Sequence, residues 1–346
     1  MVPSAPMTIA AVLLAAGAGT RFDGPTHKLL APWGSGSVFG AALASAASAG
    51  LDEVIVVWGA VDVTPVVALA EATTPITVIR NERWADGQAT SLQRALAVAA
   101  EHAHDAVVVG LGDQPAVHAS VWSAVAAADS PIAVASFDVG RRPPVRIARE
   151  VWGLVPTEGD TGARELIASR PDLVLDVQVD GDPRDIDTPA DLCSDADRQY
   201  VEERLGRRPR APFAVAARTG DGRPTVIANP PLLDDGTPMP TRFWLIDPDL
   251  SRAIGTLENA GGVDGVEAEL GLDALAVVHE RASIERDSLL STDHVGPRPS
   301  GGVGGTRVGV KCLHTHYAAF LAGTDDPVGA WVQARLDESS HHGEVM

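Results

Sequence analysis

The stretch AVLLAAGAGTRFDGPTHKLLAPWGS, residues 11–35, decides how the first half of the chain is read. It opens on a continuous apolar run, as a strand covered on both faces does, and then breaks into Gly-Ala-Gly. A loop without side chains lets backbone amides point into open space, so it can cradle phosphates. Arg21 and Lys28 follow, and of the 27 lysines and arginines only Lys28 and Lys311 are lysine, so a compact ammonium is kept here in a chain that otherwise uses arginine. A forked guanidinium and a mobile point charge suit a triphosphate that is held and then split. The alternative is a tight turn carrying two surface cations.

The pattern continues outward from this stretch. MTIAAVLLA, DEVIVVW, PITVIR, DAVVVGLGD, PIAVASF and DLVLDVQV are rich in Val and Ile and bounded by turn residues, and they read as buried strands. VFGAALASAASAG, TPVVALAEA, TSLQRALAVAAEHA and HASVWSAVAAA lie between them and carry helical patterns of alanine and leucine. The alternation predicts an α/β fold, a mostly parallel sheet covered by helices, with ligands gathering at the carboxyl ends of the strands.

With 346 residues the chain is long enough for two domains. It is 45% hydrophobic and 21% charged, the balance of a globular protein, and no apolar stretch approaches the roughly 20 residues of a membrane span. MVPSAPMTIA has no basic region ahead of an apolar one, and the only cysteines are Cys193 and Cys312. These features predict a cytoplasmic protein without a disulfide framework or a membrane partner. A net charge of -19 argues against nucleic acid as a partner. A polyanionic small molecule would have to be held by local cations, backbone amides and a divalent ion.

Three clusters join the glycine loop. Asp113, in GLGDQP, follows a strand and precedes a proline, where a magnesium ion can be anchored. DPRDIDTPADL sets Asp185 and Asp187 on one side of an extended segment. For Asp187 the alternative is an N-cap ahead of PADL. In NERWADGQATSLQRAL, Asn81, Gly87 and Ser91 can meet a base and ribose, although Ser91 also reads as an early-helix residue.

The second half begins past a joint near residues 193–210. PFAVAAR and RPTVIAN form a hairpin pattern, PPLLDDGTPMPTRFWL reads as a loop, and PDLSRAIGTLENAG and ALAVVHERASIERDSLL as helices. PRPSGGVGGTRVG is a flexible or phosphate-sized loop, VKCLHTHYAAFLAG a helix, and residues 336–346 a disordered tail. On such a helix Cys312 and His316 share a face at i and i+4 while His314 points elsewhere, and His279 is a third candidate. The set offers a transition-metal site or a thiolate-imidazole pair, the alternative being a buried cysteine with satisfied histidines. No CxxC or HxxxH pair accompanies it.

LLAAGAGTRF, HKLLAPWG, NERWADGQATSLQRAL, GLGDQP, GDTGARELI and DIDTPADL, in this order over residues 8–193, resemble the molybdenum-cofactor nucleotidylyltransferases. LAAG and DIDTPADL are similar to the cytidylyltransferase branch. The resemblance implies a Rossmann-like sheet of the nucleotide-diphospho-sugar transferase type with a short antiparallel excursion, within a domain spanning residues 1–195. It implies Mg2+, a nucleoside triphosphate with CTP favoured, and an anionic phosphorylated acceptor such as molybdopterin. It makes Ala15, Ala16, Gly17, Gly19, Arg21 and Lys28 the phosphate site, Asp113 the principal metal ligand and Asp187 the second, with Asp185 nearby. The implied chemistry is in-line attack by an acceptor phosphate on the α-phosphorus, without a general base.

One segment departs from the family. GRRPPVRIAREVW keeps Pro144 and Val145, but Pro143 has no polar side chain, and Arg141, Arg142 and Arg146 are extra cations that an anionic acceptor would suit. On this ground a sugar phosphate or another small phosphorylated metabolite is the alternative acceptor to molybdopterin. A nucleotide-sensing module that regulates the second half is a further one. A dinucleotide oxidoreductase fits poorly, since GAGTRF has Arg21 where the third glycine of that fingerprint belongs.

RRPRAPFAVAARTGDGRP, PPLLDDGTPMPTRFWL, VHERASIER and GVGGTRVGVKCLHTHYAAFLAGTDDPVG resemble an uncharacterised bacterial family called domain of unknown function five hundred and one. This implies a second, smaller α+β domain over residues 206–335. Its motif residues here are Asp235, Gly236, Thr237, Pro240, Thr241, Trp244, Lys311, Cys312, His314 and His316.

Overall fold

The computed structural model describes residues 7–22 and 26–343. The chain forms two compact units, Met1–Thr20 with Val38–Asp187, and Arg21–Ser37 with Thr188–Met346. The division differs from the expected 1–195 and 206–335 chiefly because Arg21–Ser37 joins the second unit. That segment holds the short hairpin β2 (Pro32–Trp33) and β3 (Gly36–Ser37), whose Ser35 and Gly36 carbonyls accept from Arg242 Nη2 at 2.7 and 3.0 Å.

The first unit is a seven-stranded sheet. Its strands are β1 (Ile9–Ala15), β4 (Glu53–Trp58), β5 (Ile76–Arg80), β6 (Ala106–Leu111), β7 (Ile132–Phe137), β8 (Gly140–Ala148) and β9 (Val174–Gln178), in the spatial order β5-β4-β1-β6-β8-β7-β9. All pairings are parallel except the two made by β8, which supplies the antiparallel excursion. The continuous Val/Ile runs are buried where strands have neighbours on both sides. DLVLDVQV, read as buried, is instead the edge strand β9 with Leu175 44% exposed, because among the described residues no strand pairs with its outer side.

Helices α1 (Val38–Ala47), α2 (Thr64–Val67), α3 (Gln88–Glu101), α4 (Ala119–Ala126) and α5 (Ala163–Ser169) connect the strands. Ala10, Val12 and Leu14 of β1 pack with Leu92, Ala95, Leu96 and Ala99 of α3 in one core layer. Gly110 in β6 allows the opposite layer to approach, since a Cβ there would lie 2.4 Å from the ring of Trp122 on α4.

The second unit has an antiparallel meander of β10 (Ala214–Arg218), β11 (Pro224–Ala228) and β12 (Phe243–Leu245), the last lying inside the expected loop. Among the described residues six α-helices accompany it: α6 (Asp195–Leu205), α7 (Pro248–Asn259), α8 (Gly262–Leu270), α9 (Leu272–Asp287), α10 (Leu313–Leu321) and α11 (Pro327–Gly343). Ile254, Val266, Leu275, Leu313, Tyr317, Val328 and Val332 form its main core. The tail expected to be disordered is helical as far as Gly343, because Val328, Val332 and Leu336 recur every four residues and pack against that core. Residues 344–346 lie outside the described residues. No helix among the described residues is long and apolar enough to cross a membrane.

Candidate functional site

In an open parallel sheet the binding crevice lies beyond the carboxyl ends of the strands. Leaving β1, Ala16 accepts from Ala60 N–H at 3.1 Å, while Leu14 accepts from Gly112 N–H at 2.8 Å, so this loop is flanked by those after β4 and β6. Ala15 and Ala16 are buried at the end of β1, whereas Gly17 is exposed and a Cβ built on it meets nothing within 4 Å, so the loop opens at Gly17. Gly19 takes a φ of 62°, which favours glycine.

Gly112 is enclosed, since a Cβ there would stand 3.1 Å from Ala15 Cβ and 3.2 Å from Phe39. That close approach sets the next residue, Asp113, beside the glycine loop. The Asp113 carbonyl accepts from Ile186 N–H at 2.9 Å, and Gln114 Nε2 donates to the Pro183 carbonyl at 2.9 Å. Ile186 is buried, so its neighbours Asp185 and Asp187 fall on the outer side of the segment, as alternation requires. GLGDQP and DIDTP, distant in sequence, thus lie side by side. Thr188, not Asp187, caps the following turn, in a capping box with Asp191.

The loop after β5 is organised from within. Asn81 Nδ2 donates to Thr90 Oγ1 and Ser91 Oγ, both at 2.9 Å, and its Oδ1 accepts from Arg83 N–H at 3.0 Å. Asn81 and Ser91 are buried, and their hydrogen bonds shape the loop expected to meet a base and ribose. Gly87, at a φ of 108°, abuts the Gly159 carbonyl, which accepts from Ala89 N–H at 2.9 Å; this joins NERWADG to GDTGAR.

The arginines of GRRPPVRIA do not converge on a common acceptor. Arg141 is paired with Asp176 at 2.6 and 2.8 Å. Arg146 is buried in β8 opposite Val108, toward the amino end of the sheet, where burial lowers its pKa and its Nη1 donates to the Ser130 carbonyl. Arg142 alone of the three is exposed without a carboxylate pairing described. Arg21 is exposed and Lys28 half-buried, and both lie in the segment that belongs to the second unit.

In the second unit the expected grouping is redrawn. Cys312 has an extended backbone, φ -158° and ψ 147°, and stands before α10, so helical i, i+4 spacing does not apply to it. It gathers with His314 and with Glu258 of α7, their ligand atoms within 4.8 Å of one another. His316 is buried instead against Asp326, its Nδ1 2.8 Å from Oδ2. His279 is satisfied on both nitrogens: Nδ1 accepts from Val303 N–H at 3.2 Å and Nε2 donates to the Gly309 carbonyl at 2.7 Å. The expected phosphate-sized loop is therefore stapled to α9, with no room for a Cβ at Gly302, 2.3 Å from His279 Cα. Lys311 is exposed. Asp235, Gly236 and Thr237 form a turn, with Thr237 N–H donating to Asp235 Oδ1 at 3.0 Å. Pro240 and Thr241 line a cavity together with Gly302, Val303, Gly304 and Thr315, and Trp244 packs beside the core of Val201, Phe213 and Ile227.

Sequence reading missed Glu258, which has no spacing relation to KCLHTH. It also missed a cluster at the amino end of the sheet, for which HAH at residues 102–104 was the available signal. Glu53 Oε2 lies 2.8 Å from both His102 Nδ1 and His104 Nε2, and Oε1 accepts from Thr77 Oγ1 at 2.5 Å. Burial alone would raise the Glu53 pKa, but the hydrogen bonds from Thr77, His104 and His102 outweigh it and hold the pKa below 4.5. A folded-state pKa below the unfolded value contributes stability that is present above the unfolded pKa and lost as pH falls through the folded one. The wild type is therefore expected to lose stability on acidification below about pH 4.5 more steeply than Glu53→Gln, a difference that urea melts from neutral to acid pH would measure.

Residues 11–174 match the model of the MobA-like NTP transferase domain, and residues 215–334 match that of the protein of unknown function DUF501. Among solved structures, Rv0371c from Mycobacterium tuberculosis is 32% identical, over 53% of this chain and 94% of that one, with a TM-score of 0.46. A nucleotidyl transferase from Methanothermobacter is 25% identical, over 50% of this chain and 87% of that one, with a TM-score of 0.41. The inositol-1-phosphate CTP transferase from T. maritima is 17% identical, over 56% of this chain and 94% of that one, with a TM-score of 0.44. No curated protein matches the chain.

Proposed function

We propose, on the match of residues 11–174 to the MobA-like NTP transferase domain, that the first half of the chain moves a nucleotidyl group from a nucleoside triphosphate to a phosphorylated acceptor and releases pyrophosphate. The observation that carries this reading is the meeting, beyond β1 and β6, of an open glycine turn with Asp113 and the Asp185–Asp187 segment.

Asp113 and Asp187 offer hard carboxylate oxygens from two loops tied by one backbone hydrogen bond, a donor set that fits Mg2+. Such an ion, when bound, draws negative charge off the phosphates. The backbone of residues 15–19 orients the triphosphate, and Arg21 and Lys28, next along the chain, are assigned the charge that grows on the leaving pyrophosphate. An acceptor phosphate oxygen forms the new bond to the α-phosphorus as the bond to the bridging oxygen of pyrophosphate breaks. The acceptor is already ionised at neutral pH, so no side chain is needed as a base. Alignment and charge neutralisation suffice.

CTP is the favoured donor on the LAAG and DIDTPADL motifs, with a molybdopterin-like acceptor in the cytoplasm. A sugar phosphate or similar small metabolite is the second reading, because Arg141 is committed to Asp176, Arg146 is buried away, and Pro143 offers no polar side chain. Pyrophosphate release by the full chain, measured with CTP, GTP and UTP against phosphorylated pterins and sugar phosphates, separates the two. Triphosphate binding without turnover on any acceptor would overturn both and leave a nucleotide sensor.

A further inference from the structure

The second unit carries a cluster whose hydrogen bonding does not balance without a cation. His314 Nε2 lies 3.0 Å from the Ser251 carbonyl, and a carbonyl only accepts, so this nitrogen carries the hydrogen. In the neutral ring Nδ1 is then a lone pair. It faces Glu258 Oε1 at 3.2 Å, another acceptor, which already takes the Leu313 N–H at 2.6 Å. Two lone pairs held at that distance require a proton or a metal ion between them. Cys312 Sγ, within 4.8 Å of both ligand atoms and 3.4 Å from Thr315 Oγ1, adds a third, soft donor, which suits a metal.

We propose that Glu258, Cys312 and His314 bind a zinc-class divalent transition metal, through a carboxylate oxygen, Sγ and Nδ1, with a fourth position open to water. Bond lengths of about 2.0 Å to N and O and about 2.3 Å to S place tetrahedral ligands roughly 3.3 to 3.7 Å apart. The His314–Glu258 separation is already near that spacing. The side chains of His314 and Glu258 are 31% and 24% exposed, so an ion can enter from solvent. The Ser251 carbonyl on the far ring nitrogen is the outer partner that a metal-binding histidine characteristically has. A thiolate disfavours Mg2+, so this site selects a different ion from the one proposed for the transferase domain.

The other histidine clusters lack this imbalance. His102 and His104 each have a ring N–H to give Glu53, and His279 has one donor and one acceptor matched. In those groups each N–H faces an acceptor and no two lone pairs are held together, although His104 Nδ1 is buried without a partner.

The test uses the full-length, tag-free, reduced protein after chelator treatment, titrated with Co2+. One equivalent should bind with the thiolate-to-cobalt charge-transfer absorption and the intense visible bands of a tetrahedral site, and Zn2+ should displace it. Cys312→Ser, a near-isosteric change, should abolish the charge-transfer band, and His314→Ala should weaken binding by at least about tenfold, the minimum seen for loss of outer partners. Cys193→Ser and a His102→Ala, His104→Ala double variant should leave both unchanged. A charge-transfer band that is absent at saturating Co2+, survives Cys312→Ser or vanishes in Cys193→Ser overturns the proposal. So does a His314 ring that titrates as an imidazolium by NMR and is unmoved by Zn2+, since a proton then fills the gap.

Discussion

Asp113→Asn is expected to lower the rate of pyrophosphate release about a thousandfold, or ~4 kcal/mol of transition-state stabilisation, with little change in thermal stability. The substitution keeps the shape of the side chain and removes one negative charge from the place where the proposed reaction needs it. Asp113 is half-buried, and the bond its backbone carbonyl receives from Ile186 N–H is kept in the asparagine variant, so the loop should keep its form. Asp187→Asn should show a loss in the same direction. Asp185→Asn should cost less, since Asp185 is exposed and assigned no ion contact. Steady-state rates at several Mg2+ concentrations check this: raised Mg2+ should partly restore Asp187→Asn, where one ligand remains, and do less for Asp113→Asn. Full activity in Asp113→Asn would remove the basis for placing the ion there.

The second large effect concerns stability. Asp326 is almost fully buried and holds three hydrogens: Oδ1 accepts from Val328 N–H and Gly329 N–H at 3.0 Å each, and Oδ2 pairs with His316 Nδ1 at 2.8 Å. It caps α11 and joins it to α10, whose backbones approach so closely that a Cβ on Gly329 would lie 2.2 Å from Phe320 Cβ. His316 Nε2 is buried without a partner, so the bond to Asp326 is the one that satisfies the ring. Asp326→Ala orphans two amides and a ring nitrogen out of water and is expected to destabilise the second unit by about 3 kcal/mol, the sum of a lost cap and unsatisfied buried groups. Asp326→Asn retains the cap oxygen but opposes the ring with an amide, and should cost about half as much. Urea melts together with amide exchange in α10 and α11 measure both. Unchanged exchange in the alanine variant would show that the helices are held without this residue.

Much of the first unit is legible because its strands are apolar runs rich in Val and Ile, and six of the seven are readable on that ground, although β9 proves an exposed edge strand, not a buried one. β8 is not, since GRRPPVRIA carries three arginines and two prolines; it becomes a strand only through its neighbours β6 and β7, which supply its hydrogen bonds. The glycine turn and Asp113 announce themselves by following apolar runs. Asn81 and Ser91 are polar residues in a promising loop, but their hydrogen bonds to one another and to Thr90 turn them inward, which spacing cannot reveal.

The amino-acid sequence by itself determined the α/β alternation, the open turn after β1 and the carboxylate at the end of β6, because each depends on residues near in the chain. Tertiary structure decided which distant groups meet: Ile186 at the Asp113 carbonyl, and Glu258 at the start of α10. The second of these shows the physical reason. Whether Cys312 shares a helical face with His316 depends on where α10 begins, and the Leu313 amide at that start is satisfied by a carboxylate from another helix, so the local periodicity has no fixed origin until the unit has folded.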